Sequence, residues 1–598
     1  MIPSASKLVV FTLLPLALAA VEPKQAVWAG ATFGPDGPWN AVEVSIGGQP
    51  KISLFPGRMW HTFVTTSDYC AFNNSVPHCG SGTYLKDSAV AGSSTTSPAG
   101  AARRIEYKPP TQQLNAGVEA RGSANLYLDK IDMQFSSGLV QNHSVALIES
   151  QSQMLAYPGG TLYPVFTGCL NVGAPDPQQI FTGGGGKAGV NASMIPWALK
   201  EAGTIPSSSF GLHYGSASPS AKVSGSLVFG GYDRNRVVGD VLSLDGDLWS
   251  SVTLQNITLR VIKGNSPFPS LSDGSTPNLL IQGNSSMPTA GLPVLLDPCS
   301  PYLTLPRSTC DAIASHLPVT YNASLGLYLW NTTSPLYSRV VTSPSTLALT
   351  FMGASNTESL TIHVPFTHLN LTLSPPFVTG APVPYFPCFT GGVGAYVLGR
   401  AFFQDAFLGA NWETKRMWLA QAPGPNIPAG VDVAAVQSSE DGAIGAGKNQ
   451  WEASWDGVWK ALGDEETGDG SNNSTAGRTG DGSSGTSVGG AAEGGGSSGL
   501  STGAVAGIGV GAAVGGMILI AAVGWFLWRR RRGAEAVSPA VTQVTPAPGT
   551  AGEPSLGGYY DEAKELSGMN GPVEAPAGER SPYYEMPGDQ PVGQWHPR

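Results

Sequence analysis

From Gly503 to Trp528 the chain carries no charged residue, and Arg529, Arg530, Arg531 and Arg532 follow at once. As a helix, a stretch of this length crosses the roughly 30 Å hydrocarbon layer of a bilayer. Trp525 and Trp528 sit near the arginine end, where interfacial aromatics belong, and the arginines mark the cytoplasmic side. No other feature constrains the chain as much, because it divides it between two compartments. Met1 to Ala20 has Lys7, an apolar run and the small residues Ala17, Ala19 and Ala20, and reads as a cleaved secretory signal. The expectation is a single-pass, type I plasma-membrane protein whose residues before Gly503 are extracellular. Gly503, Gly507, Gly511 and Gly515 recur every four residues and form a ridge on which two spanning helices would pack as a homodimer.

The flanking composition agrees with this topology. Sequons stand at Asn73, Asn142, Asn191, Asn256, Asn284, Asn322, Asn331, Asn370, Asn472 and Asn473, all before the span. The six cysteines, Cys70, Cys79, Cys169, Cys299, Cys310 and Cys388, also precede it. In an oxidising compartment they are expected as disulfides, and sequence alone does not choose among the pairings. No His/Cys spacing fits a metal site, and nothing implies a cofactor. The formal net charge of −10 speaks against nucleic acid, which needs a basic face.

Residues 423–502 read as a Gly/Ser-rich stalk, flexible because they hold little to bury. Within it Trp451, Trp455 and Trp459 fall four apart, with Leu462 beyond. On a short helix they would share a face that packs on the body or lies at the bilayer. Residues 529–598 read as a disordered cytoplasmic tail with paired tyrosines at Tyr559–Tyr560 and Tyr583–Tyr584. Tyr583 to Met586 has the form of a sorting signal.

The remaining body is built of short apolar runs rich in Val, Ile, Leu and Thr between turn residues, so it is mainly β. One piece, Met194 to Gly203, reads as helix with a glycine stop. Four stretches carry a resemblance: "WNAVEVSIGGQPKISLF", "MIPWALKEAGTIPSSSFGLHYG" with "SGSLVFGGYDRNRVVGDV", "VLLDPCSPYLTLPRSTCDAI", and "YVLGRAFFQDAFLGANWETKRMWLAQA". In this order they resemble the pepsin-like aspartic proteases, in a membrane-anchored fungal type. The resemblance implies a bilobal fold, with an N-terminal lobe at 39–240, a C-terminal lobe at 241–422 and a peptide-binding cleft between them. It also implies a Cys70–Cys79 bridge in the first lobe and Cys310–Cys388 in the second, leaving Cys169 and Cys299 as a pair or as free thiols.

In that family each lobe gives one aspartate, and the pair shares a proton while activating water. Asp297 falls at the second-lobe position. Counting back from Phe63–Val64 places Pro56, Gly57 and Arg58 on the first-lobe motif, with Pro56 at the missing aspartate. Asp36 and Asp68 lie outside the turn. In the second turn Pro298 and Cys299 replace the family's Thr and Gly, and Ser300 keeps the hydroxyl. The flap stretch keeps Gly122, Ser123 and Asp129 but has Glu119, Ala120 and Arg121 where the flap Tyr and Gly belong. Arg58, if it reached Asp297, would hold that carboxylate ionised.

Two classes of function follow. One is a non-catalytic pepsin-like surface module that binds or senses, with a peptide or protein as a possible cleft ligand. The other is a membrane-anchored aspartic endopeptidase with an atypical site, in which His61 or Glu119 partners Asp297. In the first class Asp297 is a retained carboxylate held by N–H groups of its own turn.

Overall fold

The computed structural model describes residues 20–463 except 48–50, 72–78, 85–116, 123, 134, 136–138, 149–152, 182–189, 270, 272–273, 281–290, 354–357, 393–394, 439–443 and 449. The signal, the spanning stretch with its glycine ridge, the tail, Asn73, Asn284, Asn472 and Asn473 lie outside the described residues. Among those described, no helix is long and apolar enough to cross a membrane.

The first lobe is a closed six-stranded barrel. Its strands run in the order Cys169–Asn171, Ile52–Gly57, Val42–Ile46, Asn125–Asp132, Leu139–Ile148 and Thr62–Thr65. Val42–Ile46 alternates buried and half-buried residues, as one covered face requires. Ile52–Gly57 and Thr62–Thr65 are buried throughout, because both of their faces are covered. The second lobe centres on a seven-stranded sheet ordered Ser359–Pro365, Ser345–Met352, Val252–Val261, Leu292–Leu296, Val397–Leu398, Leu303–Thr304 and Cys388–Phe389. A six-stranded sheet drawn from both halves joins the lobes. Lys24–Gln25, Ser226–Phe229 and Ser209–His213 continue directly into Ala406–Asn411, Arg416–Gln421 and Val238–Asp245.

The expected helix is present as Ile195–Glu201. Pro196 lies in its first turn, and Gly203 at φ +67° ends it. A buried polar chain reinforces the sheet that joins the lobes. His213 Nε2 meets the Gln404 carbonyl, and Gln404 Nε2 donates to the His368 carbonyl. His368 in turn spans Asp405 at 2.8 Å and the Ala221 carbonyl at 2.8 Å. Burial, with Arg236 beside it, pushes His213 down to about 3.

The stalk begins later than the composition implies. Val433–Ala435 pairs with Gly231–Asp233, and Ile444 is buried in the cluster around Tyr232. Trp451 stacks on His363, Trp455 lies against His368, and Trp459 stacks on Trp455 with ring centroids 4.7 Å apart. Lys460 N bonds the Thr342 carbonyl and Asn265 N bonds that of Leu462. The described residues between Gly424 and Gly463 are thus a strap tied to both lobes. The tryptophans sit on the body, one of the two expected places, but not on one face of a helix: among the described residues of the strap only Ala453–Trp455 is helical, as a 3₁₀ turn that ends at Asp456. The error is one of composition. Single large apolar residues spaced through polar chain are enough to fix a strap, since a buried tryptophan removes 150–250 Å² from water.

Of the described sequons, Asn331 is exposed in a turn, and its Oδ1 accepts from Thr333. Asn322 and Asn370 are half-buried, and Asn256 lies within a strand paired on both sides. Asn142 and Asn191 fall in the strands Leu139–Ile148 and Val190–Ser193.

Candidate functional site

In each lobe a short strand runs parallel to the strand entering a tight turn and antiparallel to the strand leaving it. In the second lobe Val397 pairs with Leu295 on one side and Thr304 on the other. In the first lobe Cys169 pairs with Phe55 and Phe63. The hydrogen bonds match as well: Leu295 N bonds the Tyr396 carbonyl, and Phe55 N bonds the Gly168 carbonyl.

This register corrects the count made from the sequence. Phe55 corresponds to Leu295, so Gly57, not Pro56, corresponds to Asp297. The first-lobe turn is one residue shorter than the second, since Phe55 to Phe63 spans eight positions where Leu295 to Thr304 spans nine. Counting back from Phe63 therefore overshoots by one. Side chains alternate along a strand, so the Pro56 side chain belongs to the opposite face. Space agrees with register. A Cβ on Gly57 would lie 3.7 Å from Asp297 Oδ1 and only 2.7 Å from Cys299 Cβ. At the first-lobe position that corresponds to Asp297 the residue is a glycine, and Cys299 Cβ stands where its side chain would begin.

Asp297 is fully buried. Its Oδ1 accepts from Cys299 N at 3.1 Å and its Oδ2 from Ser300 Oγ at 2.7 Å, while Ser300 N closes the turn onto the Asp297 carbonyl. Cys169 and Cys299 form a disulfide with Cα atoms 6.0 Å apart. It runs from the first-lobe barrel to the second-lobe turn, so the lobes are covalently joined beside Asp297. Cys70–Cys79 and Cys310–Cys388 are also bridged.

Arg58 turns toward the segment linking the lobes. Its Nη1 donates to the Leu248 carbonyl at 3.2 Å, and its guanidinium lies 4.6 Å over the Trp249 ring, whose Nε1 donates back to the Arg58 carbonyl. Burial lowers its pKa, and the charges of Asp297 and Asp247 oppose that fall. His61 is buried with its ring against Phe63, and burial pushes it down to about 3. Glu119 is bound to Arg121 at 2.8 Å on the rim. That hydrogen bond lowers the carboxyl of Glu119, so this residue is held as a carboxylate. Asp129 is buried and accepts from Tyr84 OH at 2.6 Å. Burial raises its pKa, and the Tyr84 hydrogen bond opposes the rise.

Asp36 sits closer to this centre than its place before the first strand implies. It accepts from Trp39 Nε1 at 2.9 Å and lies 3.8 Å from Arg400 Nη2. Arg400 Nη1 donates to the Cys299 carbonyl, and its guanidinium stacks on Phe55 at 3.9 Å. Asp36 and Arg400 line a cavity of about 40 Å³ together with Cys169, Cys299 and Phe377. No motif announced either residue, because the N-terminal loop and Arg400 meet only through the tertiary fold.

Two lobes, each with a turn clasped by a short strand, joined by a sheet from both halves, define a bilobal β architecture, with Asp297 buried in the second-lobe turn. Among 378 matching chains of solved structures is the crystal structure of aspartic proteinase from Irpex lacteus. It is similar over 66% of this chain and 98% of that chain, at 13% identity and a TM-score of 0.41. No family model and no curated protein matches the chain. The architecture stated here rests on the strand order and register.

Proposed function

We propose that this chain is a non-catalytic, pepsin-like surface protein: a type I, single-span protein whose ectodomain binds or senses and does not cleave. One observation carries the reading. The position that faces Asp297 is Gly57, and Cys299 Cβ would lie 2.7 Å from any Cβ placed there. A single carboxylate cannot divide the roles of general base and proton donor between two groups of unlike pKa. The membrane topology rests on the uncharged stretch from Gly503 to Trp528 and the four arginines after it.

The test is proteolysis by the full-length chain on a mixed peptide library from pH 3 to 7, with and without a statine-type inhibitor, beside Asp297→Asn. Neither form is expected to cleave. Cleavage that the inhibitor blocks and Asp297→Asn abolishes would overturn the reading and restore the membrane-anchored endopeptidase. Surface biotinylation of intact cells tests the topology, with ectodomain lysines labelled and the residues after Arg532 protected.

A further inference from the structure

The groove between the lobes is crossed by the chain itself. Gly117, two residues before the flap strand Glu119–Gly122, has both backbone groups bound to the second-lobe turn. Its N–H donates to Ser300 Oγ at 3.0 Å, and its carbonyl accepts from Thr304 Oγ1 at 3.1 Å. A Cβ on Gly117 would meet Ser300 Cβ, Ser300 Oγ and Thr304 Oγ1, each at 3.0 Å, so only glycine lies this close without displacing them. Val118 and Ala120 are each 2% exposed.

A second segment crosses as well. Tyr157 OH and Tyr302 OH are 2.9 Å apart, and Gly159 N donates to the Ser324 carbonyl at 2.9 Å. The Tyr157 ring packs against Phe377 and Phe389 of the second lobe at 5.2 and 5.7 Å. The cavity of about 40 Å³ beside the Cys169–Cys299 bridge is lined by Phe377 as well.

These distances exclude a bound strand. An extended peptide that bonds to a chain on either side lies about 4.8 Å from each, so its two neighbours stand roughly 10 Å apart. Here the segment leading into the flap and the second-lobe turn are separated by one hydrogen bond. Both backbone groups of Gly117 are used as those of a bound peptide residue would be, by two hydroxyls of the opposite lobe.

We propose that the segments Gly117–Val118 and Tyr157–Gly159 act as an intramolecular ligand of the second lobe and close the interlobe groove to extended peptides. The groove expected from the sequence as a binding site for a peptide or protein is then self-occupied, and binding belongs to the outer surfaces. The inference is independent of the missing carboxylate, since a chain without a catalytic pair can still bind peptide. Its test therefore reads amide exchange and binding, not cleavage.

Hydrogen exchange of the full-length chain, followed by mass spectrometry, is compared for the parent, Gly117→Ala and Thr304→Val. The last is isosteric and removes only the hydroxyl that holds the Gly117 carbonyl. The parent is expected to exchange slowly at 117–122. Each variant should speed that exchange about tenfold, the worth of one hydrogen bond, without altering Ser209–His213. A fluorescent decapeptide pool should not bind the parent saturably. Parent exchange at 117–122 as fast as an unstructured peptide overturns the proposal. So does unchanged exchange in Thr304→Val, or saturable binding of the pool with new protection at residues 300–304.

Discussion

Replacing both Cys169 and Cys299 by serine removes the one disulfide between the lobes. The two cysteines are 130 residues apart, and neither of the other bridges lies within that loop. Releasing a loop of this length restores to the unfolded chain an entropy worth about 5 kcal/mol at 25 °C on the chain-entropy relation. The same relation assigns about 2.6 kcal/mol to Cys70–Cys79, which closes 9 residues, and about 4.5 kcal/mol to Cys310–Cys388, which closes 78. The three double-serine variants are thus expected to form a graded series, with the interlobe pair the most costly. For a body of roughly 400 ordered residues the unfolding entropy is about 0.8 kcal/mol/K, so the interlobe variant should melt about 6 °C lower. Urea unfolding of the full-length chain, followed by tryptophan fluorescence, measures the difference through the midpoint and slope. A loss below about 1 kcal/mol for the interlobe pair, or one smaller than that of Cys70–Cys79, would refute the reasoning. The lobes would then be held by other contacts, or the unfolded chain would already be compact across residues 169–299.

Two further outcomes test the site and its surroundings. His61 and His213 are pushed down to about 3 and His363 to about 4, each chiefly by burial, so all three are neutral in the folded chain near pH 7. Unfolding raises each toward about 6.5, so the unfolded state binds more protons. Stability is then complete above pH 6.5 and falls below it by about 1.4 kcal/mol per unit for each histidine, down to about pH 4 for His363 and about pH 3 for His61 and His213. Acid unfolding well above pH 3, shifted lower in His213→Gln, is the expected result, and a body whose stability is flat from pH 7 to 4 would contradict it. Gly57→Asp places a Cβ 2.7 Å from Cys299 Cβ and a second carboxyl beside Asp297. It should lower the melting temperature without creating peptidase activity. Cys299→Gly with Cys169→Ser removes the obstructing atom together with the bridge, so Gly57→Asp should cost less when added to that double variant than when added to the parent. Equal stability of Gly57→Asp and the parent would mean that Pro56 holds the facing position after all.

Much of the bilobal plan is legible in the sequence, because each strand and turn announces itself locally. "VLLDPCS" is an apolar strand entering a turn, and "MIPWALKEAG" has its proline at the start and its glycine at the end. The register at Gly57 is not legible. A turn shortened by one residue leaves no local mark, and only the pairing of Phe55 and Phe63 with Cys169 reveals it. Gly117 is equally silent, since its function lies in having no side chain next to two hydroxyls far along the chain. The strap misleads for the opposite reason. Trp451, Trp455 and Trp459 carry a helical spacing that the fold does not use, and each of Ile444, Trp451, Trp455 and Leu462 instead finds a site formed by the lobes.

The strap also sets how the body bears load. Among the described residues its last fixed points are the Asn265–Leu462 and Lys460–Thr342 hydrogen bonds on the second lobe, and its strand on the first lobe, Val433–Ala435, lies upstream of the tryptophans. Tension applied to the chain beyond Gly463 therefore reaches Leu462 first, then Trp459, Trp455 and Trp451 in turn, and the first-lobe strand last. Contacts met one at a time peel at low force, whereas contacts strained together resist as a sum. The strap is arranged to peel, so a pull spends itself on a short run of tryptophans before it reaches the sheet that joins the lobes.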